Sequence, residues 1–302
     1  MSELSESRAS RDRQLVVHHE DPASPLRWRV GDVEVVRVEE SVIEMSPRYL
    51  LPDLSQELLD SCGEWVSPFF AEEGQMLLSI HSFVVFSGDN TVVVDTCIAE
   101  HTQRRLPGDS GFGERLAAAI PGGLDAVDFV VCTHMHFDHV GWNTERVGGE
   151  WVPTFPSARY LVSEDELSGT RADDSMEVME SSIDPLVECG VLDAVDSDHR
   201  IDDNLCLVPS AGHSPGHVCV MIESAGERAL ITGDSFHSPV QFALPEISAS
   251  YADFDSMAAG ATRRRLIDRL VDSSTLVLGS HFAPPTSGRV RSGPETAWFD
   301  VG

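Results

Sequence analysis

Six consecutive residues, His134-Met135-His136-Phe137-Asp138-His139, constrain this chain more than any other stretch. They follow Val130-Val131-Cys132-Thr133, an apolar run that reads as a buried strand, so four metal-competent side chains stand at a strand's mouth. In extended backbone, side chains two apart project to one side, which lets His134 and His136 face a single cation. Asp138 and His139 are sequence neighbours and act together only if the chain turns between strand and whatever follows. Such a turn lets them serve a second cation beside the first.

Other candidate ligands close further apolar runs. Asp95 ends Thr91-Val92-Val93-Val94, Asp234 ends Ala229-Leu230-Ile231-Thr232-Gly233, and His281 follows Leu276-Val277-Leu278-Gly279-Ser280. His213 stands in Gly212-His213-Ser214-Pro215-Gly216-His217. With the hexapeptide, this order resembles the metallo-β-lactamase-fold hydrolases, which carry an Asp, then H-x-H-x-D-H, then His, Asp and His at comparable spacings. The likeness runs from residue 28 to residue 282.

That resemblance implies an α/β fold, an αββα sandwich of two mixed β-sheets flanked by helices. It implies His134, His136 and His213 on one ion, Asp138, His139 and His281 on the other, and Asp234 bridging both. Asp95 matches a residue that holds a ligand histidine through its other ring nitrogen. Imidazoles with a carboxylate suit two Zn²⁺ ions, and imidazole also accepts Fe or Mn. Two divalent ions about 3.5–4 Å apart can share a hydroxide that attacks a carbonyl or phosphoryl centre. Asp138 can orient that nucleophile or take its proton.

The implied activity is hydrolysis of a small ester, in the first place a lactone, with aryl esters and phosphotriesters as promiscuous substrates. Asp234 separates the chain from true β-lactamases, which lack the bridging Asp. A glyoxalase-type thioesterase shares the whole ligand set. A one-iron sulfur dioxygenase and a metal-stabilised binding protein are the rivals from other classes. His237 stands where the acyl-homoserine-lactone lactonases have Tyr. The methyl-parathion-hydrolase-like branch has His there, which makes His237 a candidate pocket residue and leaving-group acid. Trp142 and Phe282, adjoining ligands, are further candidates for pocket walls.

Composition narrows the partners. The chain has 302 residues and a net charge of −29, from 50 acidic and 21 basic residues, and every basic residue is Arg. Without Lys, Schiff-base chemistry, Ser-Lys dyads and the phosphate-loop lysine are excluded. Binding to phosphates needs cationic neutralisation, so the acidity argues against nucleic acid and anionic membrane, and fits solubility or adaptation to salt. The expected partner is a small-molecule substrate; a homodimer is left open. The 6 Cys include no C-x-x-C pair and several lie in apolar runs, the pattern of buried free thiols in a reducing compartment. No apolar stretch is long enough to span a bilayer, and the first residues lack the regions of a signal peptide, so the cytoplasm is the expected location.

Residues 1–25 read as a polar tail or arm that contains His18-His19, and residues 26–302 as one hydrolase domain. A hairpin is predicted around Gly31-Asp32, and strands at 76–86, 91–95, 128–133, 158–162, 205–208, 217–222, 228–232 and 275–279. Helices are predicted near 54–59, 113–120, 163–181 and 254–271. The halves echo each other: strand-Asp95, helix, strand-His134, then strand-Asp234, helix, strand-His281. Alternating helices and strands alone equally fit a doubly wound sheet; the ligand set favours the sandwich. His217 reads as a structural loop residue, and His81, His101 and His199 as structural or exposed. Arg263-Arg264-Arg265 reads as a solvated helix face.

Overall fold

The computed structural model describes residues 16–18, 25–99, 111–170, 178–249 and 251–302. His101 and His19 lie outside them, as does the side chain of His18.

The hairpin forms where expected: β2 (Arg27–Val30) turns at Gly31-Asp32 into β3 (Val33–Met45). β3 pairs with β4 (Met76–Ser87), and a tight turn at Gly88-Asp89 returns the chain into β5 (Asn90–Val94). β3 is longer than the alternation suggests, and its far end pairs with β1 (Val16–His18), so the N-terminal arm adds a strand to the sheet. The β3–β4 register slips between Glu39 and Ser41, which leaves Glu40 as an extra residue. A bulge of this kind re-aims a side chain, and that of Glu40 serves the site described below.

β5 continues through α2 (Phe112–Ala119) into β6 (Phe129–Val131), which lies parallel beside it. β9 (Arg159–Ser163) and β10 (Leu192–Val195) extend the same sheet, again parallel. β7 (Thr144–Val147) and β8 (Glu150–Pro153) form a separate hairpin. The second sheet runs in chain order from β11 (Leu205–Pro209) through β12 (Val218–Ser224), β13 (Glu227–Ile231), β14 (Leu276–Leu278) and β15 (Ser287–Ser292) to β16 (Ala297–Asp300). Here β13 and β14 are the parallel pair, joined through the short α6 (Val240–Ala243) and α7 (Ser256–Leu270). Both halves therefore contain the strand-Asp, helix, strand-His unit.

Period-two alternation divides the side chains between layers. Val92, Val94 and Val131 of the first sheet meet Leu207, Val220, Ile231 and Leu278 of the second in a buried seam. Val93 and Val130 point outward, to Phe112 and Leu116 on α2. On the outer face of the second sheet, Leu230 and Val277 pack against Leu266, Ile267 and Leu270 on α7. Each such fully buried aliphatic side chain contributes about 1.5–3 kcal/mol. The layers run helix, sheet, sheet, helix, the αββα sandwich. The doubly wound alternative is excluded, because the strands form two sheets with a shared seam.

Of the helix expected over 163–181, α4 spans Glu164–Thr170, residues from Val178 on are helical and run into α5 (Asp184–Glu188), and residues 171–177 lie outside the described ones. Near 54–59 the helix is α1 (Gln56–Cys62), capped by the Ser55 hydroxyl. Among the described residues, no helix is long and apolar enough to cross a membrane. All 6 cysteines are free thiols; Cys97, Cys132 and Cys219 are buried and Cys189 is exposed.

Candidate metal centre

The ends of β5, β6, β13 and β14 deliver Asp95, His134, Asp234 and His281 to one edge of the sandwich. Past β6 the chain bends at Thr133 and His134, is extended at His136, and then coils into α3 (Phe137–Val140), the turn that Asp138 and His139 require. Gly141 makes that turn fit: a Cβ there would lie 1.8 Å from the Ile98 carbonyl oxygen. The loop 95–99 is bonded to the turn by Thr96 N–H to His139 O and Gly141 N–H to Cys97 O.

The expected ligands fall into two groups, His134, His136, His213 and Asp234 in one and Asp138, His139 and His281 in the other, and a further cluster of His213, His237 and Asp253 overlaps the first at His213. Within the first, His213 Nε2 lies 3.2 Å from His134 Nε2 and 2.9 Å from His136 Nδ1. Within the second, His139 Nε2 lies 3.2 Å from His281 Nε2. Asp234 stands between them. Its Oδ2 is 3.3 Å from His213 Nε2, and its Oδ1 is 3.2 Å from His139 Nε2 and 3.0 Å from His281 Nε2.

The opposite ring nitrogens are committed elsewhere, and their partners assign the tautomers. His139 Nδ1–H donates to Asp95 Oδ2 at 2.9 Å, His213 Nδ1–H to Asp253 Oδ1 at 3.0 Å, and His281 Nδ1–H to the Ser79 carbonyl at 2.8 Å. The Thr133 hydroxyl donates to Asp95, so it accepts from His134 Nδ1 at 3.1 Å. In neutral rings with those protons outward, the Nε2 atoms of His134, His139, His213 and His281 turn lone pairs toward one another. Such a ring of acceptors is satisfied by cations, and its imidazole and carboxylate donors suit zinc-like ions. The residues fit a pair of divalent metals.

Electrostatics separate the two groups. Burial, aided by neighbouring imidazoles, holds His134 well below the ordinary histidine range, and burial brings His213 down to about 3 despite Asp234 and Asp253. Both are neutral at ordinary pH. Burial also disfavours charge on His139 and His281, but Asp234 outweighs it and raises both. Asp234 itself is pulled well below the carboxylate range: burial opposes ionisation, and His139 and His281 lead the groups that overcome it.

Several supporting residues carry no spacing signal. Glu166, buried, accepts from Met135 N–H at 2.9 Å, from the Ser214 hydroxyl at 2.6 Å and from Gly216 N–H at 2.9 Å, and so ties the two histidine loops together. Gly212-His213-Ser214-Pro215-Gly216 has the G-x-S-x-G spacing of serine hydrolases, but Ser214 is buried and its hydroxyl is spent on Glu166. Glu40 accepts from Ile98 and Ala99 N–H and from the Trp142 indole. Asp253 is the counterpart of Asp95 on the other histidine group. His217 accepts from the backbone N–H of Asp234 at 2.8 Å and bonds Ser210 through Nδ1. His81, buried, bonds the hydroxyl of Ser79, the residue whose carbonyl holds His281.

The expected pocket residues divide. His237 is buried rather than a surface loop residue. Its Nε2 lies 3.1 Å from Asp234 Oδ2, its ring stacks on His281, and neither ring nitrogen has a hydrogen-bond partner. Trp142 packs on Phe112 and Gly113 of α2, with its indole on Glu40. Phe282 does not line a pocket: its ring is buried among Phe69, Phe242 and Phe299 on the outer face of the second sheet, where aromatic packing outcompetes exposure beside His281. The arginine run also departs from expectation. Arg264 and Arg265 are exposed, but Arg263 is fully buried, because it occupies the face of α7 turned to the protein.

A family model described as the metallo-beta-lactamase superfamily matches residues 76–281. N-acyl homoserine lactonases from a Bacillus species and from Bacillus cereus are 25% and 23% identical over 154 residues, 51% of this chain and 55% of each relative. The chain thus spans about half the length of the curated relatives it matches. Among solved structures, the hydrolase AbOPH in the beta-lactamase superfamily is similar with a TM-score of 0.77 at 23% identity, over 91% of this chain and 96% of that one. AidC, a dizinc quorum-quenching lactonase, gives a TM-score of 0.73 at 17% identity, again over 91% and 96%. At these identities the structural likeness concerns the fold.

Proposed function

Since the chain belongs to the metallo-beta-lactamase superfamily, we propose that it is a hydrolase working with two divalent metal ions, zinc first, on a small ester, in the first place a lactone. The observation that carries this reading is the division of Asp234, one carboxylate oxygen toward each histidine group. His134, His136 and His213 would hold one ion and Asp138, His139 and His281 the other, with Asp234 shared. When bound, such ions supply Lewis acidity toward a carbonyl or phosphoryl oxygen and lower the pKa of water from 15.7 to about 7.

The chain's own residues complete the chemistry. Asp138, whose side chain is 13% exposed, can orient an attacking water and accept its proton. His237, with both ring nitrogens unpartnered beside Asp234, can donate a hydrogen bond to the departing oxygen. Asp95 and Glu166 keep the ligands in place without touching substrate. A lactone is favoured because lactonases are among the similar proteins in both sequence and structure.

The test is a hydrolysis screen of the zinc-loaded protein across lactones, aryl esters, thioesters and phosphotriesters. Turnover highest on lactones, lost on chelation and restored by zinc, is expected. Turnover highest on thioesters would move the protein to the glyoxalase-type activity, and zinc binding without turnover on any of these would contradict a hydrolase.

A further inference from the structure

Arg263 and Asp253 form a buried charge pair that the hydrolytic chemistry does not use. The Asp253 side chain is fully buried. Its Oδ1 takes the His213 Nδ1 proton at 3.0 Å, and its Oδ2 accepts from the Ser248 hydroxyl at 2.8 Å and Ala249 N–H at 3.0 Å. Arg263 lies behind it, with Nη1 3.6 Å from Oδ2 and Nε donating to the Pro245 carbonyl at 2.7 Å. Neither Nη1 nor Nη2 of Arg263 has a hydrogen-bond partner. A buried guanidinium this sparsely bonded is costly unless its charge is needed, and among the described residues the carboxylate it pairs with is that of Asp253.

We infer that Asp253, its charge balanced by Arg263, is a positioning residue that sets the tautomer and aim of His213 and so governs occupancy of the His134–His136–His213 position independently of the other. This rests on the two-ion reading above. The second group has its own anchor, since His139 is held by Asp95, whose partners are Thr133 and not Arg263. Asp95 also reaches the first group, through the Thr133 hydroxyl that accepts from His134 Nδ1, so the support particular to one group is Asp253 on His213. His213 also takes the backbone of this segment, Phe254 N–H on its carbonyl at 2.8 Å, so ring and main chain are fixed from one side. An Asn at 253 keeps the size of the side chain but loses the charge that Arg263 balances and one of the two carboxylate acceptors.

The experiment is a zinc titration of metal-free wild type, Asp253→Asn and Asp95→Asn by calorimetry, with zinc occupancy at the two positions read from anomalous diffraction. Wild type is expected to take two ions. Asp253→Asn should weaken the His213 position by about tenfold to a hundredfold and leave the His281 position unchanged, whereas Asp95→Asn should weaken the His281 position. Should Asp253→Asn fail to fold, Arg263→Met carries the test, with weakening confined to the His213 position. Two ions bound by either of these variants with wild-type affinity at both positions, or weakened equally at both, would overturn the inference while sparing the two-ion reading. Wild type that binds no ion would overturn both.

Discussion

His217 Nε2 accepts a hydrogen bond from the backbone N–H of Asp234 at 2.8 Å. A histidine outside both ligand groups thus fixes the main chain of the residue that joins them. Gly233 makes the approach feasible: it has φ +51°, and a Cβ there would lie 2.5 Å from His217 Nε2. Replacing His217 with Leu leaves a buried N–H unpaired, which costs about 1–3 kcal/mol. His217→Leu and Gly233→Ala should both lower thermal stability and zinc content together, as followed by calorimetry and metal analysis. Wild-type zinc content in a folded His217→Leu protein would show that this bond does not position Asp234.

His237 has no ligand role in this account. His237→Ala should keep two zinc ions per chain and reduce turnover, by about 10²–10⁴-fold if it acts as an acid toward the leaving group. The loss should shrink for esters with good leaving groups, which need no acid. Equal rates for both proteins across a substrate panel would remove His237 from the pocket.

The thiols offer a check on the fold that is independent of function. Burial raises the pKa of Cys97 and Cys219, and that of Cys132 to about 12. The thiolate is the reactive form, so these three should resist a thiol reagent at neutral pH. Cys189 is exposed and should react first, with Cys62 and Cys206, half-buried, following. Native protein should therefore titrate three thiols and denatured protein six. Six fast thiols in the native state would contradict the packing of the inner strands.

Metal removal should also be felt in stability. An ion that binds only the folded chain adds about 4.1 kcal/mol at a thousand times its dissociation constant. Chelation should lower the melting temperature, and zinc should restore it. No shift on chelation of zinc-loaded protein would contradict tight binding at the two positions.

The ligands were legible in the sequence because each ends a short apolar run or sits in one compact motif, so strand geometry alone gathers them. The repeated strand-Asp, helix, strand-His order likewise anticipated the two parallel pairs at the centre. Glu40, Glu166 and Asp253 were not legible: each is a lone acid whose partners are brought to it by tertiary folding. Arg263 was hidden for a different reason. Successive helix positions are about 100° apart, so a run of three arginines sweeps about 200° of the helix and can carry one onto the packed face, and the run does not say which. Phe282 shows that adjacency to a ligand says little about direction, since the neighbouring side chain can enter the core beneath the site.

The central claim is that Asp234 joins two cation positions. The most direct test is the zinc stoichiometry of wild type and Asp234→Ala after dialysis, read beside lactone hydrolysis. The account predicts two ions per wild-type chain, fewer than two in the variant, and no hydrolysis by the variant. Two ions and an undiminished rate without the Asp234 carboxylate would contradict it.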